Sequence, residues 1–514
     1  MTAIITDNFR ISAARFLKEK IQLASTAPYY MFLGRSQPWP NEQPLLSSGE
    51  DPTTVPQTED NHQVTHYDAF QNMHVVKKIN AHQVELCTKR VIWVSDTVYR
   101  PWDSNYTDGT YLPNSFVSGL EDRVVTDRHV FLCLSSPAYF DVTSGFSYEP
   151  STIRPTKPDS IGTSTPRSIF KTSDGYVWMY LYTIDDQLNS SFTTGSYMPV
   201  PFPTTGGDSR DADQIKVQDN APLGKIYSIH ITDGGYYNDN TKPTVTLIGD
   251  GSLVGGNVIP SDQITMKSYT NGTDTWWYIS DIQVHADNVS LDDLNGVTST
   301  PEDDAWTQVE VVITGGNYYP GQTNPEPSAV AVLPPQGGFG KCAQIDLAAH
   351  NLGLNCEFNF ESLSGFKTAS QFREIGVVTG LTEFDTDGTT VIPYVGDFTN
   401  TLKKLTMASE TEAEAFRTTT STFTNSAGAT AHLDLVKDDL IYYHQDDTTG
   451  FKEFSASDNI TSIEDSSVTG TVAANGILDA DIIQYTGDII YLEKRHKVLR
   501  AEDQIENIKL VVEL

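Results

Sequence analysis

His62 and His66 stand four residues apart, the spacing at which two imidazoles share one face of a helix and can grip a metal ion. They border a polar loop and no third ligand follows nearby, so metal binding is not expected there. Asp385-Thr386-Asp387-Gly388 resembles the middle of a calcium loop, but the other ligand positions and the distal Glu are missing; a hairpin turn is expected instead. Asp208, Asp211 and Asp213 form an acidic loop, read as a solvated turn. Gly340-Lys341 ends like a phosphate-binding loop, yet Pro335 stands where the first glycine belongs. No G-x-S-x-G or H-E-x-x-H is found. With 67 acidic residues some carboxylates must lie close enough for glycoside hydrolysis, and Trp102, Trp276, Trp277 and Tyr278 could stack on sugars. Packing is the commoner fate of such rings. Lys494-Arg495-His496-Lys497 is the only dense basic run; it either docks an acidic partner or forms a solvated turn. From these residues no metal-binding residue, cofactor-binding residue or cofactor is expected, while a carboxylate pair for glycoside hydrolysis stays open.

The totals narrow the class. A chain of 514 residues exceeds one ordinary core, which implies several domains or one core with large insertions. Its net charge of −33 repels phosphate backbones, so no nucleic acid is expected as a partner. No apolar run approaches the roughly 20 residues of a membrane span, and no membrane insertion or secretory signal is expected. Cys87, Cys133, Cys342 and Cys356 are widely spaced without C-x-x-C and read as free thiols in a reducing compartment.

The elements that must position these residues are mostly strands. Asp174-Gly175 is a tight-turn pair, and Tyr176 to Ile184 follows as an aromatic and β-branched run with two apolar faces, expected as a central strand. Tyr197 to Pro203 carries three prolines in its last five residues and reads as an extended edge. Tyr29 to Leu33, Val91 to Val94, Val130 to Leu134 and Phe372 to Val378 read as buried strands. Ile508, Leu510, Val512 and Leu514 alternate in a final one. Thr6-Asp7 can cap a helix whose apolar face would be Phe9, Ala13, Phe16 and Leu17, and Thr401 to Phe416 is a possible helix. Residues 226–237 are echoed by 308–319, an internal repeat of a strand, a Gly-Gly turn and a second strand. The fold class is therefore mainly β: a discontinuous β-sandwich core with a few short helices and two inserted small β-rich modules. The core takes 1–220, 342–385 and 481–514; the modules are 221–341, with the repeat, and 386–480.

Several segments together carry a resemblance. They are Phe32-Leu33-Gly34-Arg35-Ser36-Gln37-Pro38-Trp39, Asp174-Gly175-Tyr176-Val177-Trp178, Val200-Pro201-Phe202-Pro203, Phe372-Arg373-Glu374-Ile375, and the terminal Tyr485 to Arg495 with Gln504 to Ile508. In this order the chain resembles the baseplate wedge subunits of contractile-tailed, T-even-like bacteriophages, in particular the homodimeric wedge protein usually called the gene 8 product. The matched parts are about 1–220, 342–385 and 481–514; the modules between them exceed the family's compact form. The resemblance implies a β-sandwich core, a homodimer, other baseplate wedge proteins as partners, and a place in the virion's tail baseplate after assembly in the host cytoplasm. It implies no catalysis. It assigns structural roles to Gly34, Arg35, Trp39, Asp174, Gly175, Trp178, Phe372, Arg373, Gly487, Tyr491 and Arg495, with Gly34 and Gly175 as turns and Trp39 and Trp178 as packing anchors. The competing reading from composition is a carbohydrate-active enzyme or carbohydrate-binding tail protein.

Overall fold

The computed structural model describes residues 7–23, 26–39, 62–102, 123–141, 145–158, 168–203, 212–284, 306–319, 326–358, 372–498 and 506–513, apart from a few short gaps within them. Strands account for 45% of the described residues and helices for 15%, which makes the fold mainly β, as the alternating apolar patterns predict. The chain divides into two compact units. One comprises 1–16, 85–353 and 513–514; the other comprises 17–84 and 354–512.

In the first unit the run after Asp174-Gly175 forms the strand Val177–Thr183, flanked by His129–Ser135 on one side and Ile169–Lys171 on the other. Its residues 178–182 are all buried, so both faces are covered, as expected of a central strand. Tyr197–Pro199 pairs with Val84–Lys89 and ends its sheet, the edge position that its prolines require. The two copies of the internal repeat exchange partners. Ile229–Asp233 of the first copy pairs with Ser328–Ala331 of the second, while Thr244–Gly249 of the first pairs with Val309–Thr314 of the second. Tyr237 bridges Tyr318 between them. Ile229, Ile231, Val245 and Leu247 fill a common core with Ile279 and Trp306, against which Val311 and Ile313 pack. Tyr227, within the first copy of the repeat, lies outside the described residues.

In the second unit Tyr29–Gly34 sits at the middle of a five-stranded antiparallel sheet. Met73–Lys78 and then Phe398–Asn400 lie on one side, Phe372–Thr379 and then Asp488–Val498 on the other. The module after residue 386 contains a closed six-stranded barrel. Its strands, in order around it, are Lys403–Met407, Leu440–His444, Thr430–Lys437, Thr422–Asn425, Asn459–Ser462 and Thr469–Leu478. Leu405, Leu433, Ile441, Tyr443, Phe423 and Ile460 fill its core. Closure removes the free edges that a small sheet would otherwise expose.

Three local expectations are corrected. Thr401 to Phe416 is not one helix: Lys403–Met407 is a barrel strand with Leu405 and Met407 turned inward, and only Glu410–Phe416 is helical, its first turn capped by the Ser409 hydroxyl. Val91 to Val94 makes only one isolated bridge residue, and Ile92 and Val94 are more than half exposed; an apolar run without a ladder partner does not become a buried strand. The helix Asp7–Leu23 forms, but it buries Ile11, Ala14 and Ile21 and leaves Phe9 and Phe16 exposed, a face rotated from the one expected. The alternating strand at the end of the chain is present as Glu506–Glu513 with Ile508, Leu510 and Val512 buried; Leu514 lies outside the described residues.

Candidate functional site

The motif residues of the second unit converge. At Gly34 the strand register shifts, and a Cβ there would lie 2.7 Å from the Asn72 carbonyl oxygen, so only glycine fits. The turn that follows puts Arg35 at φ 56, with its N–H donating to Asn72 O at 2.8 Å. The Arg35 guanidinium then reaches Asp68 at 3.3 Å and lies 4.0 Å over the Trp39 ring. Lys494 also approaches that ring, at 5.3 Å, and Trp39 Nε1 donates to Arg495 O at 2.9 Å. Arg373, almost fully buried, donates to Ser36 O at 2.7 Å. Glu374 is buried beside them. Burial, with help from the nearby Asp68 charge, raises its pKa from 4.5 to about 7 in spite of Arg35 and Lys494. Three sequence segments more than 100 residues apart thus interlock in one polar node around Trp39. Phe372 extends it, buried and opposite Val498; Tyr491 pairs with Val377 on the same strand ladder. Gly487 takes φ +83, and a Cβ there would lie 2.4 Å from Thr379 O.

The motif residues of the first unit form a separate staple. Asp174 Oδ2 accepts hydrogen bonds from Ser151 Oγ (3.0 Å), Thr152 N (2.8 Å) and Ile153 N (2.9 Å), while Thr172 Oγ1 donates to Oδ1. Burial pushes the Asp174 pKa up, but these donors outweigh it and hold the carboxyl below its ordinary value. Gly175 has φ +94 and abuts Pro137. Trp178 is fully buried, stacked on Tyr176 at 5.4 Å and edge-on to Tyr99 at 5.6 Å.

The residues weighed for chemistry are engaged in local structure. Asp385 to Gly388 turns the hairpin between Thr382–Phe384 and Val391–Pro393, with Asp387 accepting from Thr389 N and Thr390 N. Asp213 pairs with Lys157 and Lys216; Asp208 and Asp211 lie outside the described residues. Gly340 N donates to Asp346 Oδ2, and Lys341 Nζ donates to Gln218 O. Trp102 is buried with Nε1 on Asp346 O, Trp277 packs against the repeat's core, Tyr278 joins Phe140, Phe146 and Tyr269, and Trp276 meets Tyr319. Within the basic run, Lys494 faces Trp39 and the Arg495 guanidinium lies 4.0 Å from Glu493. His62 and His66 do share the helix His62–Asn72, but the His62 side chain lies outside the described residues. None of the four thiols is in a disulfide: Cys87, Cys133 and Cys356 are buried and Cys342 is half-buried.

A second cluster was missed in the sequence. His432-Leu433-Asp434 and His444-Gln445-Asp446 are two H-x-D triplets twelve residues apart, the first within one strand of a barrel hairpin and the second starting at the last residue of the other. Register places His432 directly opposite His444, and a register shift between Leu433 and Leu435 puts a bulge at Asp434. Ala431, Leu433 and Tyr443 join the barrel core, so the polar residues alternating with them face outward. His74, from Met73–Lys78, covers them. Asp434 Oδ2 accepts from His444 Nδ1 at 2.6 Å, Asp434 Oδ1 accepts from Ser36 Oγ at 3.3 Å, and His74 Nε2 lies 3.4 Å from the same oxygen. His432 Nε2 lies 3.4 Å from Asp446 Oδ1. Burial lowers the His74 pKa to about 4 although Asp434 opposes this, so that ring is neutral. His444 is also penalised by burial, but Asp434 reverses the direction and raises it. A scan against protein-family models and a search of curated proteins each found no match for this chain.

Proposed function

We propose that this protein is a structural subunit of the baseplate wedge of a contractile phage tail, a homodimer that links neighbouring wedge proteins in the virion. The ordered segments that resemble the gene 8 product family support this reading. The single observation that carries it furthest is the node around Trp39: the charged side chains of Arg35, Arg373 and Lys494, with the Arg495 carbonyl, are engaged in holding three chain segments together. Shape-based assembly needs a rigid core and large complementary surfaces, and no nucleophile. The net charge of −33 fits docking to basic patches on partners and disfavours direct contact with nucleic acid. Among the described residues no helix is long and apolar enough to cross a membrane.

The test is assembly. The protein should sediment with tail particles and co-purify with other wedge proteins, and the isolated chain should show twice its 56.7 kDa mass by light scattering. A concentration-independent monomer that never enters particles would sink the proposal. Carbohydrate chemistry is the alternative outcome: glycan hydrolysis abolished by one carboxylate substitution would replace it. The rings of Trp102 and Tyr278 are buried, which leaves them poorly placed to stack on a sugar and supports the structural reading.

A further inference from the structure

We propose that His432, His444 and Asp446 bind one divalent transition-metal ion of the zinc class, with Asp434 positioning His444 from behind. The three side chains offer ligand atoms that all lie within 4.8 Å of one another, and all three residues are buried. Tetrahedral zinc, with bonds of about 2.0–2.1 Å, needs neighbouring ligand atoms roughly 3.3 Å apart. His432 Nε2 and Asp446 Oδ1 already stand at 3.4 Å, and the His444 ligand atom lies within 4.8 Å of both.

Independent observations point to a ligand. His444 Nε2 is buried, with its side chain 1% exposed, and has no hydrogen-bond partner. Leaving a buried polar atom unpaired is costly, so a ligand there would offset a penalty already present. Its other nitrogen donates to Asp434 at 2.6 Å, which fixes the tautomer that presents a lone pair on Nε2. A carboxylate behind an imidazole is the usual support of a ligating histidine, since it orients the ring and raises its basicity. The Asp446 carboxylate is held anionic and oriented by Thr448 N at 2.9 Å and Thr449 N at 3.1 Å. Two nitrogens and one carboxylate oxygen suit zinc-class ions better than magnesium or calcium, which take oxygen ligands. His432, with its side chain 10% exposed, is the point of entry from solvent. The bound ion would clasp the hairpin 430–444 to the loop after it. This inference does not depend on the wedge assignment.

The full-length protein is stripped with a chelator and titrated with Zn²⁺ or Mg²⁺, with metal content measured after equilibrium dialysis. One equivalent of zinc per chain should be retained, magnesium should not be, and zinc should raise the melting temperature. X-ray absorption at the zinc edge should show two imidazoles and an oxygen ligand. His432→Gln should weaken zinc binding at least tenfold, and Asp434→Asn by about 10–100-fold. His82→Gln, on the surface, should leave it unchanged. No saturable equivalent, undiminished affinity in folded His432→Gln, or an edge spectrum without imidazole would each overturn the proposal. Should the variants fail to fold, the wild-type absorption spectrum decides alone.

Discussion

Glu374 shows how far a single buried group shapes this protein's response to pH. Its folded pKa of about 7 lies above its ordinary 4.5, so the native state holds a proton that the unfolded chain has already released. Stability therefore falls as pH rises from 4.5 through 7, by roughly 3 kcal/mol for a shift of this size. Glu374→Gln removes that slope. In urea unfolding at pH 5 and pH 8, the difference between variant and wild type should move in the variant's favour by about 3 kcal/mol. Parallel behaviour of the two proteins would show that Glu374 is not a buried acid. Asp174 works in the opposite sense. Its folded pKa is depressed, so its contribution is present above the unfolded value and is lost as pH falls through the folded one. Asp174→Ala strips the acceptor from Ser151, Thr152, Ile153 and Thr172 and should cost about 2–3 kcal/mol near neutral pH, less in acid. Equal cost at pH 7 and pH 3 in chemical denaturation would contradict this.

The repeat is the element with the clearest consequence. Because each copy pairs its strands with the other, neither owns a complete ladder. Replacing residues 306–333 by a short Gly/Ser linker should leave Ile229–Asp233 without its partner strand and Thr244–Gly249 paired only with Val258–Ile259, although these stand far earlier in the chain. Hydrogen exchange reads this directly: protection in Ile229–Asp233 should fall to the level of loops, and in Thr244–Gly249 it should persist only on the side of residues 257–259, where Leu247 N donates to Asn257 O. Retained protection would mean that the first copy folds alone. The barrel behaves differently, since its six strands come from one continuous stretch, 403–478, and close on themselves. Its pairing is local, which favours independent and rapid formation.

At the scale of the whole molecule, 67 acidic against 34 basic residues give a net charge of −33. In the assembly proposed here, steering toward basic partners weakens as salt shortens the Debye length, to about 3 Å at 1 M. On that proposal, incorporation into baseplate intermediates should slow several-fold between 50 mM and 500 mM NaCl, measured by the rate of complex formation, while the isolated chain's own melting changes little. A salt-independent rate would mean that apolar surface alone drives docking.

The strands Tyr29–Gly34, Val177–Thr183 and Phe372–Thr379 were legible in the sequence because aromatic and β-branched runs bounded by glycine turns are local signals. So were the mainly-β class, the repeat, and the glycines at 34 and 175, whose neighbours forbid a side chain. What was misread depended on partners far along the chain. Val91 to Val94 has strand composition but no ladder to join, and the face of Asp7–Leu23 that is buried is chosen by what packs on it, not by Phe9 and Phe16. Lys403–Met407 is a strand because the barrel offers it two neighbours. The His432, Asp434, His444 and Asp446 cluster lies deepest in this category. Two H-x-D triplets are visible as letters, yet their meeting needs one hairpin register, one bulge at Asp434, and a sheet strand carrying His74 laid across them. Composition and periodicity fix which residues tend to be strand and which tend to be buried. Register and packing alone decide which buried polar groups face one another, because those depend on contacts that no short stretch of sequence encodes.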